Sequence, residues 1–266
     1  FFMNPPYGTA NNAGTEVGDH KAGIALTEVN KQMKAAKLGA CSQQLYAQFM
    51  FRASVLAKEY GFDKVTIALF SKPTFMCSGS YRPFREWWQA SHRIDGGFMF
   101  QASHFADVSG AWGVSFTVWQ EGSSKAGVAP LDVKDVRHFT VVKIGSKRIY
   151  NADGREASKW VRSQDALSGT HDGPQLKSGL QVHDVITTTP VASGTLGYLH
   201  SNSNSLANSA TLTFWLSAAS SDGHGTPVSG ANYRRCVALF AARKLVAGNW
   251  LNDKDEYLAP TAKTEA

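Results

Sequence analysis

Cysteine is scarce in this chain, and its few cysteines are not spaced for a shared role. The three cysteines, Cys41, Cys77 and Cys236, lie far apart and form no Cys-x-x-Cys pair. An odd number of isolated cysteines argues against both a disulfide framework and a cysteine-based metal site. We therefore expect separate, reduced thiols in a cytoplasmic protein.

Long apolar runs are missing as well. No stretch approaches the roughly 20 apolar residues that cross a bilayer. No secretory leader is visible, and the chain starts at Phe1 without a methionine. We expect no membrane partner. Nor do we expect a metal site, because His20 beside Asp19 has no further ligands at a useful spacing.

Charge of either sign is in only slight excess. The 266 residues include 27 Lys or Arg against 21 Asp or Glu, which gives a net charge of +6 and a pI near 9.2. This excess is compatible with a polyanionic partner but does not establish one. A hydrophobic fraction of 43% is enough for one large domain or two smaller ones.

The most informative stretch is the N-terminal heptapeptide. The apolar residues 1–3 predict the end of a buried strand, and Pro5-Pro6 must stop it because proline cannot donate to a sheet ladder. Asn4 is therefore expected at the carboxyl end of a strand. In open α/β sheets this is the edge where ligands bind.

The chemistry of this edge favours a planar ring with an exocyclic amine. The Asn4 side-chain oxygen and the Pro5 carbonyl are two acceptors close together, and Pro6 restricts the geometry of the residue before it. Tyr7 offers a flat face, and stacking a base on an aromatic side chain contributes roughly 1–3 kcal/mol. Adenine fits this set of groups.

Asn4-Pro5-Pro6-Tyr7 resembles the NPPY catalytic motif of class I methyltransferases that use S-adenosylmethionine, above all the N6-adenine-specific DNA methyltransferases. The resemblance implies that these four residues are catalytic and that Asn4 also contacts the cofactor. It further implies that a second aromatic residue stacks on the flipped adenine opposite Tyr7, with Phe105 the first candidate and Trp112 the second. Similar motifs occur in enzymes that methylate an RNA base or a protein glutamine, and both remain alternatives.

Helix and strand patterns alternate after the motif, as an α/β fold requires. Helices are predicted over 24–36, from a Ser42 cap to Gly61, and over 81–91, and strands over 64–70, 97–101 and 112–119. This order is similar to the second half of a class I methyltransferase. We therefore expect a partial Rossmann-like mixed sheet with an antiparallel end.

A Gly/Ser-rich stretch at 121–130 predicts a linker. It divides the chain into a catalytic-motif half, 1–122, and an α+β, loop-rich target-recognition region, 131–266. Within the latter we predict a hairpin turning at Gly145-Ser146, a short helix over 155–162, a strand over 211–216 and a helix over 233–245.

The resemblance implies double-stranded DNA as the partner of the second region, which would contact phosphates through basic side chains. Each such side chain taken alone is more often simply a solvated surface charge. The candidates for DNA binding are Lys143, Lys147, Arg148 and Arg155, with a second patch of Arg234, Arg235, Arg243 and Lys244.

One family feature is lacking, namely the Gly-rich turn and the later acidic residue that hold S-adenosylmethionine. We therefore expect a cofactor-binding half upstream of Phe1, with a nuclease domain also conceivable there, in a bacterial or phage-encoded enzyme. The alternative from another functional class is a DNA-binding or specificity module without catalysis of its own.

Overall fold

The computed structural model of the chain describes residues 1–8, 27–105, 112–123, 128–151, 153–162, 195–201, 204–206, 213–216 and 225–261. The chain divides into two units, Phe1–Asn151 and Ala152–Ala266. The stretch predicted as a linker, 121–130, lies inside the first unit, because the strand that follows it joins the same sheet as the strands before it. The predicted loop at 8–23 lies outside the described residues beyond Gly8.

The first unit alternates helices and strands around one sheet. In chain order its elements are β1 (Phe2–Met3), α1 (Glu28–Ala35), α2 (Leu45–Glu59), β2 (Thr66–Ser71), α3 (Thr74–Cys77), α4 (Arg82–Gln89), β3 (His92–Gln101), β4 (Gly113–Glu121), β5 (Val128–Arg137) and β6 (Thr140–Tyr150). Single 3₁₀ turns occur at Gly39–Gln43, Gly79–Tyr81 and Ala102–His104.

The sheet has six strands in the order β1-β2-β4-β3-β5-β6. β1 is parallel to β2, and β3 is parallel to β5. β4 is antiparallel to both β2 and β3, and β6 is antiparallel to β5. The predicted α/β class and mixed sheet are confirmed. It follows that β1, β2, β3 and β5 run in one direction and end at the same edge.

The helices bury one face of this sheet. Trp119 on β4 contacts Phe75 and Trp88 of the helical layer, with ring centroids 5.9 and 5.7 Å away. Phe116 and the apolar residues that alternate with it along β4 lie on one face of the sheet, whereas the helices cover the opposite face, to which Trp119 belongs. The buried Ser115 hydroxyl there donates to the Ser71 carbonyl at 3.0 Å, and Thr117 accepts from the Trp119 indole at 2.8 Å.

The other face carries a row of phenylalanines. Phe116 lies at its centre, with ring centroids 5.8 Å from Phe2, 4.8 Å from Phe70 and 5.2 Å from Phe98. The prediction that the first residues end a buried strand is wrong in one respect. Phe2 is 75% exposed, because β1 pairs only with β2 in the described sheet and directs Phe2 to this second face.

The helix ends differ in detail from the sequence prediction. Thr27 caps α1 by accepting a hydrogen bond from the Asn30 amide at 3.0 Å. Ser42 does not cap α2, which begins three residues later. Ser42 lies in the preceding 3₁₀ turn, and its hydroxyl donates to the Gly39 carbonyl at 2.9 Å. Gly61 ends α2 as predicted, with a φ of +64° that suits glycine.

The predicted hairpin turn at Gly145-Ser146 is wrong. β5 and β6 form one long hairpin that turns at His138-Phe139, while Gly145 and Ser146 lie within β6 opposite Val133 and Asp132. The register shifts beside Val133, so these turn-forming residues occupy an irregularity in the strand.

The second unit has its own small sheet and core. It contains α5 (Ala157–Arg162), β7 (Gly197–His200), β8 (Thr213–Leu216), β9 (Gly225–Val228) and α6 (Tyr233–Leu245). The sheet order is β8-β7-β9, all antiparallel. The predicted helices over 155–162 and 233–245 and the strand near 211–216 are confirmed, although 211 and 212 lie outside the described residues. The core residues are Ala157, Val161, Leu199, Val228, Cys236 and Leu239.

Cys41, Cys77 and Cys236 are buried, and none of the three forms a disulfide. Among the helices that the structure describes, none combines the length and apolar character needed to cross a membrane.

Candidate functional site

The motif Asn4-Pro5-Pro6-Tyr7 begins where β1 ends. Pro5 is buried, whereas Asn4 and Pro6 are exposed. The carbonyl of Gly8 accepts a hydrogen bond from the Leu45 amide at 3.1 Å, which ties the segment to the start of α2. The backbone is thus anchored on both sides of the motif, and the Asn4 side chain faces outward at the carboxyl edge of the sheet.

Tyr7 folds back toward Asn4. Its hydroxyl donates to the Asn4 Oδ1 at 3.4 Å, a long hydrogen bond. Burial raises the pKa of Tyr7 to about 12, so the hydroxyl stays protonated at neutral pH. This contact shows that the Asn4 Oδ1 is oriented to accept a hydrogen bond from the side on which the Tyr7 ring lies.

The two predicted partners of Tyr7 lie beside it. Phe105 follows the 3₁₀ turn after β3, and Trp112 immediately precedes β4. The Ala102 amide donates to the Trp112 carbonyl at 3.0 Å, which brings the ends of the intervening segment together. Ring centroids lie 6.4 Å apart for Tyr7 and Phe105, and 5.4 Å apart at 75° for Tyr7 and Trp112.

The sequence analysis missed further members of this aromatic cluster. Phe70 and Phe100 support Phe105, with ring centroids at 5.9 and 5.4 Å. The Lys72 ammonium lies 4.7 Å from the Trp112 ring centroid, within cation–π range. The sequence offered one indication of Phe70 and Lys72: both stand at or just after the end of a predicted strand. In the structure this strand is β2, which runs parallel to β1 and so ends at the same edge of the sheet.

The β5–β6 hairpin is tied to the same region. The His104 Nε2 lies 3.1 Å from the Asp135 Oδ1 of β5, and Arg137 donates to the other carboxylate oxygen at 2.9 Å. The hydrogen bond from Arg137 is the main cause that lowers the pKa of Asp135. Because His104 immediately precedes Phe105, this contact links the hairpin to the aromatic cluster.

Three predicted DNA-binding residues lie on β6. Lys143 and Arg148 are exposed and Lys147 is half-buried. The Lys143 ammonium forms an ion pair with Asp132 at 2.7 Å. The predicted group Lys143, Lys147 and Arg148 therefore belongs to the same unit as the Asn4 motif.

The remaining predicted DNA-binding residues belong to the second unit. Arg155 donates to the Ala259 carbonyl at 3.2 Å, and Arg235 donates to the Trp160 carbonyl at 2.9 Å while covering its ring. Arg234 and Lys244 are exposed on α6. These four side chains leave at least part of their surface open to a ligand.

Arg243 differs from its neighbours. It is 1% exposed, and its guanidinium lies 5.3 Å from the Tyr257 ring centroid. Burial lowers its pKa. The predicted contact between Arg243 and DNA has no support in this geometry, because a side chain enclosed in the unit does not reach a phosphate.

No family model matches this chain, and no curated protein does. One solved structure that shows partial likeness is the ATP-dependent Type ISP restriction-modification enzyme LlaBIII bound to DNA, with 9% identity and a TM-score of 0.29. The likeness covers 51% of this chain and 10% of that one, so this chain matches about a tenth of that protein's length. At this level the likeness carries no functional conclusion.

Proposed function

We propose that this chain carries the base-binding part of an N6-adenine DNA methyltransferase site that uses S-adenosylmethionine. The observation that carries the proposal is the position of Asn4-Pro5-Pro6-Tyr7. The motif follows a strand parallel to its neighbour, at the carboxyl edge of a mixed sheet, with the rings of Phe105 and Trp112 beside Tyr7. Neither ring is near the motif in sequence.

The exposed Asn4 Oδ1 and the Pro5 carbonyl accept hydrogen bonds from the adenine amino group. The adenine must first leave the duplex, which costs a few kcal/mol. Hydrogen bonds to both amino protons keep the nitrogen lone pair out of the ring and available for reaction. No nucleophile on the protein is needed, because positioning supplies much of the rate.

The aromatic cluster holds the flipped base. The Tyr7 hydroxyl contacts Asn4, and the ring centroids of Phe105 and Trp112 lie 6.4 and 5.4 Å from that of Tyr7, so the three rings border one space beside Asn4. Each stacked ring contributes roughly 1–3 kcal/mol to binding a base. The Lys72 ammonium on the Trp112 ring adds positive charge at an edge where nucleotide phosphates would pass.

S-adenosylmethionine supplies an electrophilic methyl group when it is bound. The part of its site assigned to this chain is Asn4, whose amide is exposed and so accessible to a ligand beside the base. The other groups at this edge, the Pro5 carbonyl and the aromatic rings beside Tyr7, suit the adenine base better than the cofactor. The remaining cofactor contacts are proposed to come from a separate cofactor-binding half.

The test is methyl transfer by the complete enzyme that contains this chain, with labelled S-adenosylmethionine and either duplex DNA, RNA or protein as substrate. We expect N6-methyladenine in duplex DNA only. Asn4→Ala should reduce transfer about 100-fold or more, in line with the loss of one preorganised hydrogen-bonding group. Duplex binding should persist, because Asn4 is exposed and supports no core contact.

Asn4→Asp is the matched control, since it keeps an acceptor oxygen at the same position. It should retain a measurable part of the activity that Asn4→Ala loses. Unchanged N6-methyladenine formation by Asn4→Ala would sink the proposal. Methylation of RNA or of glutamine in its place would move the chain to one of the alternative substrates.

A second candidate function is a DNA-binding module without catalysis, favoured by the exposed cations on β6 and by the net charge of +6. It predicts salt-dependent duplex binding with no affinity for S-adenosylmethionine, even with a cofactor-binding half present. Calorimetric titration with the cofactor separates the two functions.

A further inference from the structure

The β5–β6 hairpin extends past the edge at which Asn4 lies. Register pairs place Met3 and Gly97 in one row across the sheet: Met3↔Leu69, Leu69↔Thr117 and Thr117↔Gly97. The next row contains Asn4 and, through the pair Phe98↔Asp132, Asp132 of β5. β5 continues five residues from Asp132 to Arg137 and the turn residues follow, so the hairpin tip lies roughly 20 Å beyond Asn4 along the strand direction at about 3.3 Å per residue.

The turn at this tip is conformationally costly. His138 and Phe139 have φ angles of +49° and +60° in a two-residue turn. Such turns strongly favour Asn-Gly, because bulky side chains rarely adopt positive φ. Because glycine would fit this position with less strain, the presence of a phenylalanine points to a role for the Phe139 side chain itself.

Phe139 is fully exposed, and the residues around it have a distinct character. Val136 and Val141 form the second pair below the turn and are 44% and 62% exposed. The stem of the hairpin carries more cations than anions, five against two: Lys134, Arg137, Lys143, Lys147 and Arg148 against Asp132 and Asp135. The hairpin is therefore an apolar tip on a basic stem.

This combination fits a nucleic acid better than a protein. The centres of protein interfaces are depleted of charged residues, particularly lysine. A duplex instead offers phosphates on the outside and stacked apolar bases within, and proteins that bend DNA insert apolar side chains between base steps. The basic stem matches the phosphates, and the apolar tip matches the stacked bases.

We infer that Phe139 is a wedge that enters the base stack of duplex DNA away from the adenine held at Asn4. The inference rests on the proposed function for its ligand. β5 lies four strand spacings from β1, about 19 Å across the sheet. Together with the overhang this separates the tip from Asn4 by on the order of 28 Å, or about 8 base pairs at 3.4 Å each. The His104–Asp135 contact at 3.1 Å ties the hairpin to the segment that carries Phe105.

The test compares Phe139→Gly with Tyr60→Ala, measured in the full chain. Tyr60 is also a largely exposed aromatic residue of the first unit, but it lies at the end of α2, away from the hairpin. Two quantities are measured: affinity for a mixed-sequence 30-base-pair duplex (about three helical turns) by fluorescence anisotropy, and the change in linking number when a nicked plasmid is ligated in the presence of the protein.

We expect the unaltered chain to unwind the plasmid. Phe139→Gly should bind the duplex about tenfold more weakly and lose the unwinding, while Tyr60→Ala behaves like the unaltered chain. The melting temperature of Phe139→Gly should not fall, because glycine accepts the positive φ. A loss of binding therefore does not reflect misfolding.

Phe139→Gly with unchanged affinity and unchanged unwinding overturns the inference. So does an unaltered chain that binds no duplex. A dimer that Phe139→Gly converts to a monomer, with DNA affinity intact, overturns it too by assigning the tip to a second copy. The proposed methyl transfer is tested separately at Asn4. Loss of binding in Phe139→Gly, together with no methylation by the complete enzyme, refutes the proposed methyl transfer alone. Asn4-dependent methylation by the complete enzyme, with duplex affinity and unwinding unchanged in Phe139→Gly, refutes the wedge alone.

Discussion

At the scale of single residues, Tyr7 connects the separate parts of the candidate site. Its hydroxyl contacts the Asn4 amide, and its ring contacts both Phe105 and Trp112. A change at Tyr7 therefore separates two contributions, the hydrogen bond to the acceptor and the stacking of the base.

Tyr7→Phe should have little effect on methyl transfer by the complete enzyme, since it removes only a long hydrogen bond and keeps the ring. Tyr7→Ala should lower kcat/KM roughly 10- to 100-fold, because it removes a stacking surface that contributes about 1–3 kcal/mol. Steady-state kinetics on a duplex substrate measures both. Equal losses in the two variants would show that the hydroxyl, and not the ring, is the essential group.

Asp135 provides a pH test of the hairpin. The hydrogen bond from Arg137 lowers its pKa below the ordinary value of 3.8, so the ionised carboxylate stabilises the fold. This stabilisation is present above pH 3.8 and is lost as the pH falls through the folded-state pKa. Asp135→Asn should therefore be less stable than the unaltered chain at pH 6. The difference should shrink as the pH falls below 3.8 and through the folded-state pKa of Asp135.

Urea unfolding at several pH values measures this difference. A gap between the two proteins that stays constant across the acid range would show that the carboxylate charge is not the cause. Because Asp135 is exposed, the sign and the pH window of the effect are the informative quantities.

The site residues that the sequence predicts are those that carry a local signal. Asn4 and Tyr7 stand in a recognisable motif. Phe105 precedes the strand predicted over 112–119, and Trp112 is its first residue. Asp135 carries no such signal, because its approach to His104 depends on β5 joining β3 from 31 residues away. The same limit explains Arg243, whose burial against Tyr257 is a tertiary contact that charge patterning cannot reveal.

At the scale of elements, the sheet depends on one close approach between β3 and β4. A Cβ atom on Gly97 would overlap the Phe116 carbonyl oxygen and would lie 3.1 Å from a methyl group of Leu131. The adjacent Gly96 has open space around it. Two neighbouring glycines in one strand therefore differ sharply in what they allow.

Gly97→Ala should destabilise the first unit by about 1–3 kcal/mol or more, as overpacking in a rigid interior does. Gly96→Ala should change the free energy of unfolding by less than about 0.5 kcal/mol, as surface substitutions usually do. Chemical denaturation of both variants measures the contrast. A Gly97→Ala protein as stable as Gly96→Ala would show that β3 shifts freely against β4.

Helices and strands whose apolar residues repeat regularly along the sequence were predictable. Irregular turns between elements were not. α6 was predicted with the correct bounds because its apolar and basic residues follow a helical repeat. The hairpin turn was misplaced because Gly145-Ser146 is a typical turn sequence, whereas His138-Phe139 is not. Residue propensities for turns cannot predict a turn formed by residues that rarely adopt positive φ angles, as His138 and Phe139 do here.

At the scale of the whole molecule, composition and topology indicate different divisions. The Gly/Ser-rich stretch at 121–130 predicted a linker. The boundary between the two units along the chain instead falls after Asn151, because β5 and β6 extend the first sheet. Pairing of β5 with β3 is a long-range contact, and local composition holds no information about it. The candidate site and the Phe139 tip consequently belong to one unit, and the α6 cations belong to the other.

This division predicts two separable unfolding events. Leu199 is 1% exposed in the core of the second unit, and Met50 is fully buried in the first. Leu199→Ala and Met50→Ala should each cost about 2–5 kcal/mol, because each leaves a cavity in its own core. Calorimetry should show that each variant lowers one transition and leaves the other in place. Duplex binding through the hairpin should survive Leu199→Ala at temperatures where the second unit has unfolded. A single transition that both variants shift equally would show that the two units fold as one body.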